Sequence, residues 1–370
     1  MTRDMARAFA RDKLAPAAAE WEKAGGYPPE ILAEMGALGL MGMCVDEEWG
    51  GAGAGYVSYA LAIMEIAGGD GGLSTVMSVN NSPVCAVLQN SGSDAQKEQY
   101  LRPLARGEMI GAFCLTEPAA GSDAGALTTR ARKSGNGYVI SGTKQFITSG
   151  KIAGTAIVFA VTDPEAGKRG ISAFVMPTDT KGYVVARTEE KLGQKASDTC
   201  QIVFEDMEVP GDALLGNAGE GYRIALQNLE TGRIGIAAQS VGMAAAALEY
   251  ATQYARERET FGKAIIDHQA VGFRLADMAT RLEAARQLVL HAAAMKDAAL
   301  PCTREAAMAK LFASEMAEEV CSAAIQTLGG YGYLTDYPVE RIYRDVRVCQ
   351  IYEGTSDIQK LLITRALKNA

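Results

Sequence analysis

The sequence predicts an α+β protein with helical regions at both ends and a β domain between them. Alanine, leucine, methionine and charged residues recur at helical spacing over residues 1–110 and again over residues 216–370. Residues 111–215 instead carry short runs rich in β-branched and aromatic residues, separated by turn formers. Strands without intervening helices are typical of a small barrel or sandwich, and the alanine-rich last third is typical of a close-packed helical bundle. We therefore expect three domains with these boundaries.

The principal elements can be placed along the chain. The expected strands are Tyr138–Ile140, Ala156–Val161, Ile171–Met176, Tyr183–Arg187 and Gln201–Phe204, and the longest expected helices are Tyr222–Glu257 and Gln269–Ala299. Gly135-Asn136-Gly137 predicts a hairpin turn before the first of these strands. Strands and helices do not alternate, and no G-x-G-x-x-G motif follows a strand, which disfavours a Rossmann-type domain.

Composition narrows the function classes. The chain of 370 residues has 44 acidic and 36 basic residues, a net charge of −8, which disfavours nucleic-acid binding. No uninterrupted apolar run approaches the roughly 18 residues that span a bilayer, and the first residues do not resemble a secretory signal, so we expect a cytoplasmic protein. Seven cysteines without a C-x-x-C pair and only two histidines disfavour a disulfide framework or a metal centre. Proton chemistry must then fall to carboxylates.

Glu353 is the strongest candidate for such chemistry. It lies in the segment Ile351-Tyr352-Glu353-Gly354-Thr355-Ser356-Asp357-Ile358-Gln359, where Ser356 and Gln359 predict a capping box that starts a helix. The carboxylate would hang from a short apolar loop at the positive end of that helix. Burial would raise its pKa and the helix terminus would lower it, which suits a base acting near neutral pH. A solvated capping glutamate is the alternative interpretation.

Four further segments combine residue types suited to a flat, anionic ligand. They are residues 113–123, 144–150, 256–263 and 326–333. The first joins hydroxyls and small residues to a proline turn, and the second places Phe146 and Thr148 on one face of a strand. The third ends a helix with arginines, and the fourth is a glycine-rich helix exit. Taken singly, each has an ordinary alternative: a connecting loop, a core phenylalanine with an edge threonine, or a solvated helix end.

Together these segments resemble, in order and spacing, the acyl-CoA dehydrogenase family of flavoproteins. The resemblance covers essentially the whole chain and is carried by Pro28–Glu30, Glu47–Gly51, Thr116–Pro118, Lys144–Gly150, Phe204–Asp206, Gly232-Arg233, Arg258–Gly262, Gly329-Gly330 and Ile351–Gln359. Met77–Ser82 and Gly232–Ala237 are most similar to short-chain, butyryl-type members. The implied fold is an N-terminal helical domain, a middle β-barrel or sandwich and a C-terminal four-helix bundle.

The resemblance implies that FAD lies between the β domain and the C-terminal helices, with part of each site supplied by a neighbouring subunit of a homotetramer. The implied cofactor contacts are Phe113, Leu115, Thr116, Gly121, Ser122, Phe146, Thr148, Arg258, Phe261, Gln326, Gly330 and Thr355. The implied acyl-CoA contacts are Ser122, Tyr352, Glu353, Gly354 and Arg233. Glu230 is the expected partner of Arg233.

The implied reaction assigns Glu353 the removal of the α-proton of an acyl thioester, while the β-hydrogen leaves as hydride to flavin N5. The product is a trans-2-enoyl-CoA, and electrons pass to an electron-transfer flavoprotein. One branch of the family carries its base at the position of Gly232, where glycine cannot serve, so Glu353 keeps the role. We expect a substrate of about four to six carbons, linear or 2-methyl-branched. An oxidase that uses O₂ and a non-catalytic binding or assembly factor are the alternatives.

Overall fold

The computed structural model describes residues 1–368 and confirms the predicted fold class. Helices dominate up to Ala105, strands run from Gly111 to Leu215, and helices return at Gly221. The first set of helices is α1 Thr2–Phe9, α2 Ala15–Ala24, α3 Pro29–Ala37, α4 Gly55–Gly69, α5 Gly71–Val79, α6 Ala86–Ser91, α7 Asp94–Gln96 and α8 Arg102–Ala105. The second set is α9 Gly221–Glu257, α10 Gln269–Asp297, α11 Thr303–Leu328, α12 Pro338–Val346 and α13 Ser356–Lys368.

The middle strands form one continuous sheet. They are β1 Gly111–Cys114, β2 Arg130–Ser134, β3 Gly137–Thr148, β4 Thr155–Val161, β5 Ile171–Pro177, β6 Tyr183–Thr188, β7 Thr199–Val209 and β8 Leu214–Leu215, and a separate ribbon joins β9 Glu259–Thr260 to β10 Lys263–Ala264. The order is β6-β7-β3-β2-β4-β5-β8, with β1 parallel to β4. The Gly135 turn connects β2 to β3 as expected. Strands β1 and β2 were not predicted, because Gly111–Cys114 has a single aromatic residue and Arg130–Ser134 is mostly basic and polar.

The long helix α9 organises the second helical set. Its buried faces carry small residues, including fully buried Ala237, Ala244 and Ala247, so α4, α10 and α11 approach it closely. At Gly242 an added Cβ would lie 2.1 Å from the Met64 carbonyl oxygen, which explains why no larger residue fits. By length and composition α9 could cross a membrane. However, 72% of its most apolar window is buried within the fold, as is usual for a core helix.

Candidate active site

Glu353 lies on a tight loop between a 3₁₀ turn, Arg347–Gln350, and α13. Its backbone is left-handed (φ 54°), a conformation that residues other than glycine rarely adopt, and Gly354 follows at φ 88°. The side chain is partly covered, and its Oε2 atom is inaccessible to solvent and has no hydrogen-bond partner in residues 1–368. Strain of this kind persists only where the surroundings fix it and is common at functional sites.

Gly232 of α9 lies directly against this carboxylate. An ideal Cβ at that position would be 2.6 Å from Oε2 of Glu353 and 2.9 Å from its Cδ. Any side chain there would therefore displace the carboxylate. The same geometry shows that a side chain at position 232 on α9 and the Glu353 side chain on the loop before α13 would reach the same point in space.

The surroundings raise the pKa of Glu353 to about 7. Burial is the main cause because it penalises the charged carboxylate, and the cations of Arg233 and Lys310 offset part of that penalty. A carboxyl group with a pKa near neutrality is half ionised under physiological conditions and can accept a proton. The arrangement therefore suits general-base chemistry better than a structural ion pair.

The loop is held from α11 and α13. The Gly354 carbonyl oxygen accepts hydrogen bonds from Lys310 Nζ and Gln359 Nε2, both at 2.8 Å, and Gln359 also donates to the Glu353 carbonyl at 3.2 Å. The predicted capping box at Ser356 is wrong. Thr355 caps the helix instead, since its Oγ1 accepts from Ile358 N at 3.4 Å, and Ser356 Oγ has no partner in residues 1–368. Gln359 is turned back toward the loop carbonyls, so it cannot complete the box.

Tyr352 joins the site to a buried polar network that spans all three regions of the chain. Its hydroxyl donates to Gln239 of α9 at 2.5 Å and receives a bond from Gln194 Nε2 at 3.4 Å. Gln194 comes from the β region and also accepts from Thr75 of α5 at 2.7 Å. Burial raises the pKa of Tyr352 well above its usual range. The network fixes the residue next to Glu353 from three directions.

Arg233 is buried beside the same loop, but its expected partner is wrong. Glu230 instead forms an ion pair with Lys296 at 3.2 Å and accepts a hydrogen bond from Thr303. Arg233 Nε has no hydrogen-bond partner in residues 1–368. The strongest charge interaction of the guanidinium is with the Glu353 carboxylate. Glu230 is one helical turn from Arg233 in sequence, but its side chain lies against α10 and α11. The prediction from sequence proximity therefore chose the wrong partner.

Two of the ligand-binding segments predicted from the sequence meet on the β region. Gln145 N donates to the Thr116 carbonyl at 2.8 Å, which ties the loop that follows β1 to the end of β3. Ile147 points into the core (2% exposed), whereas the flanking Phe146 is 64% exposed and Thr148 is half-buried. The other predicted contacts on this side vary in exposure: Leu115 is buried, Phe113 and Thr116 are half-buried, and Gly121 and Ser122 are exposed. The β region therefore offers an open surface with an aromatic ring and hydroxyls.

The remaining segments form a separate groove of about 420 Å³ at the ends of α9 and α11. Arg258, Gly330 and Tyr331 line it, with the Arg258 guanidinium 5.8 Å from the Tyr331 ring centre. Phe261 next to this groove is 97% exposed, and Gln326 is exposed one residue before the lining Thr327. Thr355 is half-buried on the Glu353 loop. The predicted cofactor contacts therefore lie on the β region, around this groove and on the Glu353 loop.

Lys310 is the site residue that the sequence reading missed. It is fully buried, and a lysine within an alanine-rich helix is ordinarily read as a solvated residue. A signal was present nonetheless: Lys310 follows Ala306 by four residues and precedes Ala313 by three, and both alanines are fully buried. A lysine on the apolar face of a helix is a candidate buried cation.

Comparisons with known proteins cover nearly the whole chain. Three domain models of the acyl-CoA dehydrogenase family match: the N-terminal domain over residues 1–108, the middle domain over 112–207 and the C-terminal domain over 219–368. An acyl-CoA dehydrogenase of Bacillus subtilis is 49% identical over 99% of this chain and 97% of its own.

Solved structures agree with this result. Butyryl-CoA dehydrogenase from Megasphaera elsdenii superposes with a TM-score of 0.96 at 41% identity, covering 99% of this chain and 97% of that one. A chain from the structure of the electron transferring flavoprotein of Acidaminococcus fermentans, described as a step towards a mechanism of flavin-based electron bifurcation, gives a TM-score of 0.98 at 45% identity. The match covers 100% of this chain and 97% of that one. The likeness therefore extends over sequence and fold together.

Proposed function

Since the chain belongs to the acyl-CoA dehydrogenase family, an enzyme family of CH–CH oxidoreductases, we propose that it oxidises a short acyl-CoA to the trans-2-enoyl-CoA. The proposed substrate has about four to six carbons, linear or 2-methyl-branched. The similarity to a protein described as butyryl-CoA dehydrogenase supports this size.

The observation that carries the proposal is the Glu353 carboxylate, with a pKa of about 7 and an Oε2 atom that no protein group engages in residues 1–368. An α-proton of a thioester is weakly acidic, so the base must be ionised at working pH and the enolate-like oxygen must be stabilised. The backbone N–H of Glu353 also has no acceptor in the described chain, which leaves it available to that oxygen. A preorganised donor of this kind contributes roughly 3–4 kcal/mol.

The residues present suit FAD, the cofactor of the family. On the β region the exposed Phe146 ring and the neighbouring Thr148 hydroxyl fit a flat heterocycle, and the open loop at Gly121 and Ser122 leaves room for it. In the separate groove, the Arg258 guanidinium and the glycine-rich exit at Gly330 fit a pyrophosphate. When bound, FAD supplies the acceptor for the β-hydride. The chain supplies orientation and the proton acceptor.

We assign Phe113, Leu115, Thr116, Gln326 and Thr355 to the cofactor and Ser122, Tyr352, Gly354 and Arg233 to the acyl-CoA, as the family resemblance implies. The two surfaces lie on different parts of one chain, which supports sites shared between neighbouring subunits. Large exposed side chains on the C-terminal helical region, Phe261, Phe273 and Tyr333, support association into the proposed homotetramer. Light scattering should give four chains per particle, and a monomer would contradict the shared site.

We further propose that electrons leave to an electron-transfer flavoprotein in the cytoplasm. Similarity to a chain from an electron transferring flavoprotein structure supports the partner. Turnover with that flavoprotein as acceptor should exceed turnover with O₂ alone. Equal turnover with O₂ would favour the oxidase alternative.

The direct test of the substrate is an anaerobic titration of the purified protein with butyryl-CoA, isobutyryl-CoA, 2-methylbutyryl-CoA and octanoyl-CoA, followed by flavin absorbance. We expect complete bleaching by a four- or five-carbon substrate and slow bleaching by octanoyl-CoA. Faster bleaching by octanoyl-CoA would refute the short-chain assignment. A colourless protein that does not take up FAD would refute catalysis and revive the binding-factor alternative.

A further inference from the structure

Lys310 is a buried cation without a carboxylate partner. Its side chain is fully buried on α11, and its Nζ atom donates to the Gly354 carbonyl at 2.8 Å. In residues 1–368 no aspartate or glutamate lies within ion-pair distance of it, whereas the other fully buried lysine, Lys144, is paired with Glu117 at 2.8 Å. Burying an unpaired ammonium costs several kcal/mol, so folding alone does not explain this residue.

The bond from Lys310 reaches the most strained part of the site. Glu353 and Gly354 are consecutive residues in left-handed conformations, and the Gly354 carbonyl between Lys310 and Gln359 accepts two hydrogen bonds of 2.8 Å. A carbonyl held by two donors cannot rotate without losing both. This carbonyl belongs to the peptide that joins Gly354 to Thr355, one peptide beyond Glu353. Its fixed orientation limits the conformation of Gly354 and thereby restrains the Glu353 backbone that carries the carboxylate.

The charge of Lys310 acts on the same carboxylate. The titratable groups facing Glu353 are Arg233 from α9, Lys310 from α11 and the Tyr59 hydroxyl from α4. The two cations lower the pKa of Glu353 against the opposing effect of burial. Lys310 itself faces Cys349, Glu353, Arg233 and Glu315, and burial lowers its pKa to about 8, which leaves it mostly protonated at neutral pH.

We propose that Lys310 is a positioning residue that fixes the Glu353 loop and favours the carboxylate over the carboxylic acid, an inference that rests on the proposed role of Glu353 as the base. Arg233 supplies the second cation but makes no hydrogen bond through its Nε to this loop. Among residues 1–368, Lys310 is the cation that also bonds directly to the loop backbone.

The test compares Lys310→Met, which removes the ammonium at similar volume, with Lys310→Arg, which keeps a cation and donor. For each, the rate of flavin bleaching is measured from pH 6 to 9 with the acyl-CoA that reduces the wild type fastest. We expect the midpoint of the profile to rise by about one pH unit in Lys310→Met, with a roughly fivefold slower rate at pH 7, and to stay near the wild-type value in Lys310→Arg. The control is Lys360→Met, because Lys360 lies on α13 but is exposed and forms an ion pair with Glu315 at 3.7 Å.

A second readout is independent of turnover: the Kd of an acyl-CoA analogue that cannot be dehydrogenated should change less than about twofold in Lys310→Met, because the pocket remains. If Lys310→Met does not yield a folded flavoprotein, Lys310→Gln removes the charge with a polar side chain, and the same upward shift is expected. An unchanged midpoint in whichever neutral variant folds overturns the proposal. A wild type that no acyl-CoA reduces overturns the proposed function instead.

Discussion

Two fully buried lysines lie near carboxylates in this molecule, and they are arranged in opposite ways. In the β region, Lys144 forms an ion pair with Glu117 at 2.8 Å, and Glu117 also accepts bonds from Thr128 and Thr129 at 2.6–2.9 Å. In the helical region, Lys310 bonds a backbone carbonyl, and Glu353 Oε2 stays unpaired in the described chain.

The difference shows how one fold makes a structural carboxylate and a reactive one from the same residue types. Burial raises the pKa of Glu117, but the Lys144 ammonium and the threonine donors outweigh it and hold the pKa at about 2. At Glu353 the effect of burial on the pKa is larger than the opposing effect of the two cations, and the pKa rises to about 7. A carboxylate with every lone pair engaged cannot take a proton at neutral pH, whereas one left unpaired can.

The largest effect is expected from Glu353→Gln, which keeps shape and removes the base. The rate of flavin reduction should fall at least about 10³-fold, because the amide of glutamine cannot accept the α-proton. Stopped-flow absorbance measures it, with FAD content and acyl-CoA binding as controls that should stay normal. Bleaching at the wild-type rate would show that Glu353 is not the base.

Glu117→Gln tests whether the buried ion pair of Glu117 with Lys144 stabilises the fold. Removing one partner of a buried ion pair should lower the free energy of unfolding by about 3–5 kcal/mol, measured by denaturant titration. The double variant with Lys144→Met should lose less than the sum of the two single variants, since no charge is left unpaired. Strict additivity would mean that the pair is not coupled.

Lowering the pH should remove the stabilising contribution of Glu117 over a defined pH range. Its folded-state pKa lies below the ordinary value of 4.5, so its stabilisation is fully present above pH 4.5 and is lost as the pH falls through about 2. The wild type should therefore lose stability over this range, and Glu117→Gln should lose less. Parallel acid curves for the two proteins would contradict the assignment.

Gly232→Ala should displace the Glu353 carboxylate while leaving the carboxylate itself in place as the base. The added Cβ would lie 2.6 Å from Glu353 Oε2, and a displacement of this size costs about 10²-fold in rate. Steady-state kinetics measures the loss. The matched control is Gly26→Ala, where an added Cβ meets nothing within 4 Å and the rate should not change. Equal rates in the two variants would contradict the close approach.

The smallest effect concerns stability at the reactive site. The folded-state pKa of Glu353 is raised, so the folded protein holds this proton more tightly than the unfolded chain, and stability is lost as the pH rises from 4.5 through about 7. Glu353→Gln should therefore be more stable than the wild type at pH 8, by about 1–2 kcal/mol, and not at pH 4.5. Unfolding curves at both pH values measure this. A less stable variant at pH 8 would count against a strained, desolvated base.

The sequence predicted those parts of the structure that depend on local pattern. Helix α9 begins one residue before its predicted start, and strand β4 begins one residue before its predicted start. The loop at Glu353 was predicted because a carboxylate there follows two large apolar residues and precedes a glycine and the start of a helix. The partner choices failed, since Glu230 selects Lys296 and Thr355 replaces Ser356 as the cap. Such choices depend on how distant parts of the chain pack together, which local sequence pattern does not reveal.

The burial of Lys310 also depends on packing between distant parts of the chain. Its burial follows from the packing of α11 against α9 and α13, and the local sequence indicates it only through the spacing of Lys310 from Ala306 and Ala313. The roles of the individual cofactor and acyl-CoA contacts stay predictions for the same reason, because they depend on a bound ligand and a neighbouring subunit.

The most direct measurement is the pH dependence of flavin reduction by butyryl-CoA in the wild-type protein, followed anaerobically from pH 5 to 9. Because the base must be ionised, the rate should rise with pH and reach half its maximum near pH 7. A midpoint near the ordinary glutamate value of about 4.5, or a rate independent of pH, would contradict the account of Glu353 as a base poised by burial.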